Sequence, residues 1–375
     1  MISRDIEPQI RKRLFKRKAV LLLGPRQCGK TTLVQNLVQK INKPVLWLNG
    51  DDADVQSLLH RSTTARLKAI IGKNEVMVID EAQRIENIGI VIKLIVDAIK
   101  NVQVIATGSS AFELANKIKE PLTGRKFEYN LFPLSFSEMA ASTSLLDEKR
   151  LLEHRMIYGY YPEIVTNAGD EDNLLRLLSD SYLYKDLFAL EQLKKPVLLQ
   201  KILQALALQL GNEISYHEIA QLTGADNETV EKYIDLLEKC YVVFRLPSLS
   251  RNMRNEIKKG RKVYFFDNGI RNSVIRNYNP FNLRNDKGAL WENFLVAERW
   301  KHNEYRGYYP NRYFWRTHAQ QEIDYIEEAN GKITGWEFKW SPKAKKNISK
   351  TFLNAYPGSS VQFIHSDNFT DFITG

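Results

Sequence analysis

Near its N-terminus the chain has residues of the types and spacing that bind phosphate groups. Positions 24–31 read GPRQCGKT and fit the pattern G-x-x-x-x-G-K-[ST] in full. Glycines let backbone N–H groups turn inward around phosphate oxygens. We expect Lys30 to reach the β- and γ-phosphates of ATP, and the Thr31 hydroxyl to coordinate Mg²⁺. The predicted nucleotide-binding residues are Gly24, Pro25, Arg26, Gln27, Cys28, Gly29, Lys30, Thr31 and Thr32.

Two adjacent acids end a second apolar run. Asp80 and Glu81 close the stretch EVMVIDE. In an ATPase with a phosphate-binding loop, the first acid holds Mg²⁺ through water and the second polarises the attacking water. We therefore expect Asp80 to serve the metal and Glu81 to be catalytic. The adjacent glutamate indicates hydrolysis of the nucleotide in addition to binding.

A third apolar run, VQVIAT at 102–107, is followed by a glycine and two serines. Ser109 is predicted to hydrogen-bond the γ-phosphate or the water between the strands. The alternative is that the serines begin a helix, since Ser110 precedes the sequence AFEL and serine is a favoured N-cap residue. Both interpretations stay open on the sequence.

Near the C-terminus, a predicted hairpin places four charged side chains on one face. The Asn-Gly pair at 330–331 is the strongest short signal for a two-residue turn. That turn pairs Asp324 with Glu337. It also pairs Glu322 with Lys339. By alternation, the opposite face is a predicted core surface of Ile323, Tyr325, Trp336, Phe338 and Trp340.

The opposed carboxylates of this hairpin would repel one another unless a cation lay between them, because cross-strand Cβ atoms are about 4.5–5.5 Å apart. A Mg²⁺ or Mn²⁺ ion held by Asp324 and Glu337 would relieve the repulsion. Lys339 would then steady an attacking hydroxide or a phosphate. The alternative is a solvated sheet face on which Lys339 pairs with Glu322 and water screens the two acids.

The elements that must hold these residues follow from apolar periodicity. The sequence KAVLLLGPRQCGKTTLVQNLVQ predicts a buried strand, a loop and a helix. From about 147 to 211 the periodicity is helical. Residues 213–246 predict two helices separated by Thr-Gly-Ala-Asp, with Asp226 as N-cap, and then a strand, which is typical of a winged helix-turn-helix.

The net charge of +10 makes an anionic partner a candidate, DNA first. The second of the two helices is a poor DNA reader, because five acids oppose two lysines between residues 226 and 239. The basic stretch after it is the better footprint, with a solvated linker as the alternative. It comprises Arg245, Arg251, Arg254, Lys258, Lys259, Arg261 and Lys262.

The composition, with 43% hydrophobic and 26% charged residues, is that of an ordinary globular protein. No apolar run is long enough to span a bilayer, so we expect no membrane contact. The only two cysteines, Cys28 and Cys240, exclude a disulfide framework and favour the cytoplasm. Cys28 is expected to be a small filler in the loop rather than a nucleophile.

Four stretches in this order, GPRQCGKTTL, VMVIDEAQ, ATGSSAFEL and LTGRKFEYNLFPLSFSE, resemble those of predicted AAA+ ATPases of the archaeal-ATPase-like superfamily. The resemblance covers essentially the whole chain. It implies that Arg125 is a catalytic finger for the nucleotide of a neighbouring subunit, and hence a homo-oligomer. The alternative is an exposed arginine at a strand end.

The hairpin, with Asp324 and then Glu337-x-Lys339, resembles that of restriction-endonuclease-like nucleases. In that family an acid on the preceding helix often completes the metal site, and Glu292 has this position here. The proline that usually precedes the aspartate is absent. The C-terminal region of similar AAA+ proteins is thought to have this fold, so the two resemblances agree.

Together these features predict an α/β protein with three domains. They are a P-loop AAA+ ATPase core (1–140), a helical lid and winged helix (141–250) and a nuclease-like end (251–375). The first hypothesis is an ATPase that acts on DNA, with a metal-dependent nuclease site in the last domain. The rival is a nucleotide-controlled switch whose nuclease-like domain only docks a partner or DNA. The acidic second helix favours the rival, and the hairpin acids favour the first.

Overall fold

The computed structural model describes residues 2–109, 122–180, 195–250, 260–317, 319–345 and 349–375. These residues form two units. The first comprises Met1–Leu134 and Lys239–Tyr241, and the second comprises Ser135–Glu238 and Val242–Gly375. The finer division into three domains stays a prediction.

Five strands of the first unit pair into one parallel sheet. They are β1 (Ala19–Leu23), β2 (Val45–Asn49), β3 (Val76–Asp80), β4 (Gln103–Gly108) and β5 (Lys126–Asn130). Their order across the sheet is β2-β3-β4-β1-β5. Every residue of β1, β3 and β4 is buried, as expected for inner strands of a parallel sheet. The strands predicted from the three apolar runs are therefore confirmed.

Helices flank the strands of this sheet. They are α1 (Glu7–Arg13), α2 (Lys30–Ile41), α3 (Ala53–Leu59), α4 (Thr64–Ile71) and α5 (Ile88–Ala98), with a 3₁₀ turn at Ala82–Arg84. α2 begins at the lysine of the phosphate-loop pattern and buries the apolar residues Leu33, Val34 and Leu37. The predicted succession of strand, loop and helix is confirmed.

The carboxyl ends of β1, β3 and β4 share one edge of the sheet because the strands are parallel. The chain leaves β1 for the edge strand β2 and later passes β1 again to form β5. Open α/β sheets bind ligands in the crevice at such a reversal of strand order. The phosphate-loop pattern follows β1, while Asp80 ends β3 and Ser109 follows β4. This edge therefore collects the residues predicted for the nucleotide.

Helices of the second unit occur before, between and after the strands of its C-terminal sheet. They are α6 (Phe136–Ser142), α7 (Leu145–Arg150), α8 (Leu152–Tyr158), α9 (Pro162–Thr166), α10 (Glu171–Ser179), α11 (Pro196–Leu208), α12 (Tyr216–Thr223), α13 (Asn227–Lys239), α14 (Asn268–Val274), α15 (Lys287–Arg306), α16 (Lys350–Ala355) and α17 (Phe369–Thr374), with a 3₁₀ turn at Phe281–Leu283. Within the described ranges, no helix is both long and apolar enough to cross a bilayer.

The helices α12 and α13 have the predicted turn between them. Gly224 ends α12 with a φ of 71°. Asp226 accepts hydrogen bonds from the backbone N–H (2.7 Å) and the hydroxyl (2.8 Å) of Thr229, which confirms its predicted N-cap role. The strand before these two helices and the two strands after them form a small antiparallel sheet. Its order is β6-β8-β7, with β6 (Glu213–Ile214), β7 (Val243–Pro247) and β8 (Arg261–Phe265).

A four-stranded mixed sheet forms the C-terminal part of the second unit. Its strands are β9 (Asn311–Arg316), β10 (Glu322–Ala329), β11 (Lys332–Phe338) and β12 (Ser360–Ile364). The order is β12-β11-β10-β9. The hairpin of β10 and β11 has the predicted register, since Ala329 pairs with Lys332 and Tyr325 pairs with Trp336.

One part of the predicted core face of this hairpin is wrong, namely the placement of Ile323 and Tyr325 on the same surface. The pairing of β10 with β9 shifts register between Ile323 and Ile326. Such a bulge breaks the alternation of side chains along a strand. Ile323 and Ile326 consequently join one cluster around Phe352, whereas Tyr325 packs against Trp336 with ring centroids 5.8 Å apart. Ile323 and Tyr325 therefore do not share the predicted surface.

Candidate functional site

The phosphate loop turns sharply between β1 and α2, and its two glycines are required by the backbone. A Cβ atom on Gly24 would lie 2.0 Å from the carbonyl oxygen of Leu131. Gly29 has a φ of 94°, which side-chain-bearing residues rarely adopt, and it precedes the first residue of α2. The first N–H groups of a helix have no partner within that helix, so they are available to an anion.

Lys30 is buried at the start of α2, and its ammonium group points back into the loop. Its Nζ atom donates hydrogen bonds to the carbonyl oxygens of Gly24 (3.0 Å) and Pro25 (2.7 Å). Both acceptors are neutral. Among the described residues, no carboxylate forms an ion pair with Lys30. A phosphate oxygen is a stronger acceptor for an ammonium than a carbonyl is, so this arrangement suits phosphate binding.

Asp80, the last residue of β3, forms hydrogen bonds with side chains of α2 and β4. Its Oδ2 atom accepts a hydrogen bond from the Thr31 hydroxyl (2.8 Å), and its Oδ1 atom accepts one from the Thr107 hydroxyl. Thr107 also accepts a hydrogen bond from the backbone N–H of Glu81 (3.2 Å). The Thr31 and Asp80 oxygens are ligands of the kind that Mg²⁺ prefers. Thr107 was not among the predicted site residues, and its signal in the sequence is a polar residue at the end of an apolar strand.

Glu81 and Ser109, predicted at the ends of β3 and β4, are bridged by a third residue. The Gln83 Nε2 atom donates hydrogen bonds to Glu81 Oε2 and to the Ser109 hydroxyl (2.9 Å). Glu81 itself has a positive φ of 48°. The loop after β2 lies against it, because a Cβ atom on Gly50 would be 2.3 Å from the Glu81 carbonyl oxygen. Gln83 was missed, although it directly follows the acid motif in the sequence DEAQ.

The remaining loop residues differ in exposure. Pro25 and Cys28 are buried, Arg26 is half-buried, and Gln27 and Thr32 are exposed. Burial raises the pKa of the Cys28 thiol, although Lys30 and Arg4 act against this. A thiol that stays protonated is a poor nucleophile. The expected filler role of Cys28 therefore agrees with its surroundings.

Arg4 supports the loop from a distant part of the sequence. One guanidinium nitrogen donates to the carbonyl oxygen of Cys28 (2.7 Å), and another donates to that of Phe132 (2.6 Å). The side chain is buried. Arg4 thus ties the phosphate loop to the chain beyond β5. Arg4 was not a predicted site residue, because it is one of many basic residues near the N-terminus.

In the second unit, a buried lysine lies among the acids predicted for a metal. Lys262 Nζ contacts Oε1 of Glu292 (2.8 Å) and Oε1 of Glu322 (2.6 Å). The Tyr264 hydroxyl also donates to Glu292 (2.6 Å). Burial lowers the pKa of the Lys262 ammonium, but Glu292, Asp324 and Glu322 together raise it above its usual value. Lys262 therefore carries a full positive charge in this cluster.

Asp324 is buried in the same cluster, where its Oδ2 atom accepts a hydrogen bond from the backbone N–H of Phe338 (2.7 Å). Burial and the neighbouring Glu292 raise the pKa of Asp324 to about 7, against the effect of Lys262. Burial also raises the pKa of Glu337, and Lys339 opposes that shift.

The predicted ligands of the second metal are therefore only partly assembled. Glu292 and Asp324 lie together, but Lys262 supplies the cation beside them. In the part of the chain that the structure describes, no group of three or more His, Cys, Asp and Glu side chains could hold a metal ion. In the sequence Lys262 belongs to a basic stretch, and nothing local marks it as buried.

Three family models match successive parts of the chain. Residues 16–140 match an AAA domain. Residues 149–280 and 287–370 match two domains of unknown function, DUF8612 and DUF4143. The first match contains the phosphate loop, both acids of β3 and the residues after β4.

The chain is also similar to other proteins and to a solved structure. An uncharacterized protein of Mycobacterium tuberculosis is 27% identical over 360 residues, covering 94% of this chain and 76% of the relative. The gas vesicle ATPase of Haloferax mediterranei is 39% identical over 47 residues, 12% of this chain and 14% of its own. The Walker-type ATPase of Pyrococcus abyssi shares the fold, with a TM-score of 0.52 at 15% identity over 73% of this chain and 96% of its own. Residues 16–140 form an AAA-type, ATPase-like domain.

Arg125 lies outside the nucleotide site of its own ATPase-like domain. It directly precedes β5, and its carbonyl oxygen accepts a hydrogen bond from the Ala19 N–H (2.9 Å). It is therefore at the amino edge of the sheet, opposite the phosphate loop. Its guanidinium pairs with Asp97, with Nε and Oδ1 2.7 Å apart. A catalytic role within one chain is excluded by this position, and a role on a neighbouring subunit stays a prediction.

The basic stretch predicted to contact DNA is engaged with acids wherever the structure describes it. Arg245 pairs with Asp235 and Glu238 of α13. Arg261 pairs with Glu231 (3.4 Å). Lys262 is buried in the acidic cluster, as described above. Arg251, Arg254, Lys258 and Lys259 lie outside the described residues. Three of the five acids counted between residues 226 and 239, namely Glu231, Asp235 and Glu238, are thus paired with arginines of the same unit.

Proposed function

We propose that this protein binds ATP with Mg²⁺ at the carboxyl edge of the parallel sheet and hydrolyses it. The observation that carries the proposal is the contact between the Thr31 hydroxyl and the Asp80 carboxylate, 2.8 Å apart beside the phosphate loop. These two oxygen ligands fit Mg²⁺, which would neutralise phosphate charge when bound.

The chain's own residues supply the other interactions of this mechanism. The Lys30 ammonium exchanges the carbonyl oxygens of Gly24 and Pro25 for charged phosphate oxygens. Backbone N–H groups at the start of α2 bind the same phosphates. Glu81 then orients the attacking water, and Ser109 donates a hydrogen bond on the γ-phosphate side.

The test is a Glu81→Gln variant, which keeps the size of the side chain and removes its charge. We expect affinity for a non-hydrolysable ATP analogue to stay within about 3-fold of wild type, while phosphate release falls by about 100-fold or more. Calorimetric titration and a phosphate-release assay measure the two quantities. Undiminished hydrolysis by the variant would contradict the assignment of Glu81.

A second proposal concerns the rest of the chain. We infer that the nucleotide state controls docking of a partner, and that the hairpin acids do not cleave DNA. The ion pairs of Lys262 with Glu292 and Glu322 favour this over a metal-dependent nuclease. The internal pairing of the acids of α13 favours a winged helix-turn-helix that packs or contacts protein over one that reads DNA.

Cleavage of labelled linear, single-stranded and branched DNA tests the rival directly. Wild type and Asp324→Ala are compared with Mg²⁺ or Mn²⁺, with and without ATP. We expect no cleavage by either protein. Cleavage by wild type that is lost in Asp324→Ala would overturn the docking proposal and establish the nuclease site of Glu292, Asp324, Glu337 and Lys339.

The possible homo-oligomer has its own test. If Arg125 serves a neighbouring subunit, ATP should promote assembly, and Arg125→Ala should lose hydrolysis while keeping nucleotide affinity. Light scattering with an ATP analogue measures the assembly. A wild-type protein that stays monomeric while hydrolysing ATP would exclude this role.

A further inference from the structure

Gln83 is a buried side chain at the nucleotide site to which neither motif assigns a role. It is 2% exposed and lies in the 3₁₀ turn that follows Glu81. Its Nε2 atom donates to both Glu81 Oε2 and Ser109 Oγ. A glutamine amide has two N–H donors, so one nitrogen can hold both partners at once. Gln83 therefore joins the predicted base to the hydroxyl that follows β4.

The turn that carries Gln83 is itself held in place. The Arg84 N–H donates to the Glu81 carbonyl oxygen (3.0 Å), and the Gly50 N–H donates to the Asp80 carbonyl oxygen (2.8 Å). The Glu81 N–H is bound by Thr107. With the backbone on both sides of Glu81 bound, the orientation of its carboxylate depends on the side-chain contact with Gln83.

We propose that Gln83 is a positioning residue for ATP hydrolysis, which fixes the Glu81 carboxylate relative to Ser109. The inference rests on the proposed function of the site. One Glu81 oxygen is occupied by the Gln83 amide, which leaves the other oxygen to accept a proton from water. Because Gln83 acts through Glu81, its loss lowers kcat and leaves nucleotide binding intact. Partners of this kind typically contribute about 10- to 100-fold in activity.

The experiment compares Gln83→Met, which removes both hydrogen bonds, with Gln83→Glu, which also places a carboxylate beside Glu81. Each is made alone and with Glu81→Gln. Single-turnover ATP hydrolysis gives the rate, and titration with an ATP analogue gives the affinity. We expect Gln83→Met to lose about 10- to 100-fold in rate and Gln83→Glu to lose more, with affinity changed less than about 3-fold. In the Glu81→Gln background neither change should lower the rate further.

The matched control is Gln103→Met. Gln103 is also buried and bonds the carbonyl oxygens of Lys18 (3.0 Å) and Val104 (2.7 Å), but it lies at the amino edge of the sheet. It should lose thermal stability without the selective loss of rate. A general structural role of Gln83 would instead give equal losses of affinity and rate, or further loss in the Glu81→Gln background.

The outcomes distinguish a failure of the positioning role of Gln83 from a failure of the proposed ATP hydrolysis. If wild type fails to hydrolyse ATP, both are wrong. If wild type is active and Gln83→Met and Gln83→Glu are equally active, only the positioning role is overturned. Should Gln83→Met prove too unstable to assay, the isosteric Gln83→Glu decides the question by the same readouts.

Discussion

Lys30 and Lys262 are buried lysines in two acidic regions of this chain, and their partners differ. Lys30 donates to neutral carbonyl groups of its own loop, beside the acids of β3. Lys262 donates to Glu292, which the sequence assigns to the second metal site, and to Glu322, which the sequence pairs with Lys339 on the charged face of the hairpin. Among the described residues, the first ammonium has no carboxylate partner, whereas the second is neutralised by two glutamates.

This difference separates a binding site from a structural ion cluster. A lysine bound to carbonyl groups gains when a phosphate replaces them, because the new acceptor is charged. A buried lysine bound to half-buried carboxylates cannot be removed without leaving those charges unpaired. Residue type and burial are the same in the two cases, so the partners decide the role.

The largest expected effect is on stability and comes from Lys262→Met. Removing the ammonium leaves Glu292 and Glu322 uncompensated, so we expect unfolding in urea to lose about 3–5 kcal/mol. The control is Lys339→Met, directly after β11, where an exposed side chain is lost and the change should stay within about 0.5 kcal/mol. Equal effects of the two substitutions would show that Lys262 stabilises the fold no more than an exposed lysine does.

Lys30→Met should lower nucleotide affinity strongly and stability only slightly, the reverse of a purely structural effect. We expect nucleotide affinity to fall by about 100-fold or more, which corresponds to about 2.7 kcal/mol of binding free energy. Stability without nucleotide should change by less than about 1 kcal/mol, because no carboxylate loses its partner. Calorimetric titration and urea unfolding of the same sample measure both quantities. A stability loss like that of Lys262→Met would show that Lys30 is mainly structural.

A pH series sharpens the view of the C-terminal cluster. The pKa of Asp324 is raised from 3.8 to about 7, so the folded chain keeps a proton that the unfolded chain loses between pH 4 and 7. Stability from this group is therefore present below pH 4 and lost as pH rises to 7. Asp324→Asn should remove this decline, on the order of 2 kcal/mol between unfolding curves at pH 5 and 8. Parallel curves for both proteins would argue against a buried, protonated Asp324.

The smallest expected effect comes from Arg4→Lys. Lysine keeps the charge but cannot reach the carbonyl groups of Cys28 and Phe132 with the same paired geometry. Losing about 1 kcal/mol of the free energy that these hydrogen bonds contribute to the bound loop should weaken ATP-analogue binding by about 5-fold. Arg13→Lys, on an exposed position of α1, is the control and should bind as wild type does.

Local patterns predict much of this molecule. The phosphate loop is recognisable because its glycines and lysine lie within eight positions, 24–31. The inner strands are recognisable because both of their faces are buried and apolar. The hairpin register follows from its Asn-Gly turn, which correctly predicts the opposed pairs from Ala329 with Lys332 to Tyr325 with Trp336.

Contacts between distant positions explain what local patterns could not supply. Arg4 reaches Phe132 across 128 positions, and Lys262 meets Glu322 between different strands. Neither contact has a periodic signal. The shift between Ile323 and Ile326 arises from pairing with β9, which the hairpin sequence does not contain. Glu292 and Asp324 interact within one cluster, but nothing in the sequence marks Lys262 as their neighbour.

The assignment of Lys239–Tyr241 to the first unit has a practical consequence for choosing the boundaries of an expressed fragment. The Tyr241 hydroxyl donates to Asn130 (2.8 Å), and its ring lies edge-on to Phe132 with centroids 6.0 Å apart. These contacts cover the chain just beyond β5, where Arg4 also holds the phosphate loop. A fragment that stops at residue 134 would lose this cover and expose Phe132 to solvent. A soluble minimal ATPase should therefore be engineered from two separated stretches of the gene, joined by a linker, rather than by a single stop codon.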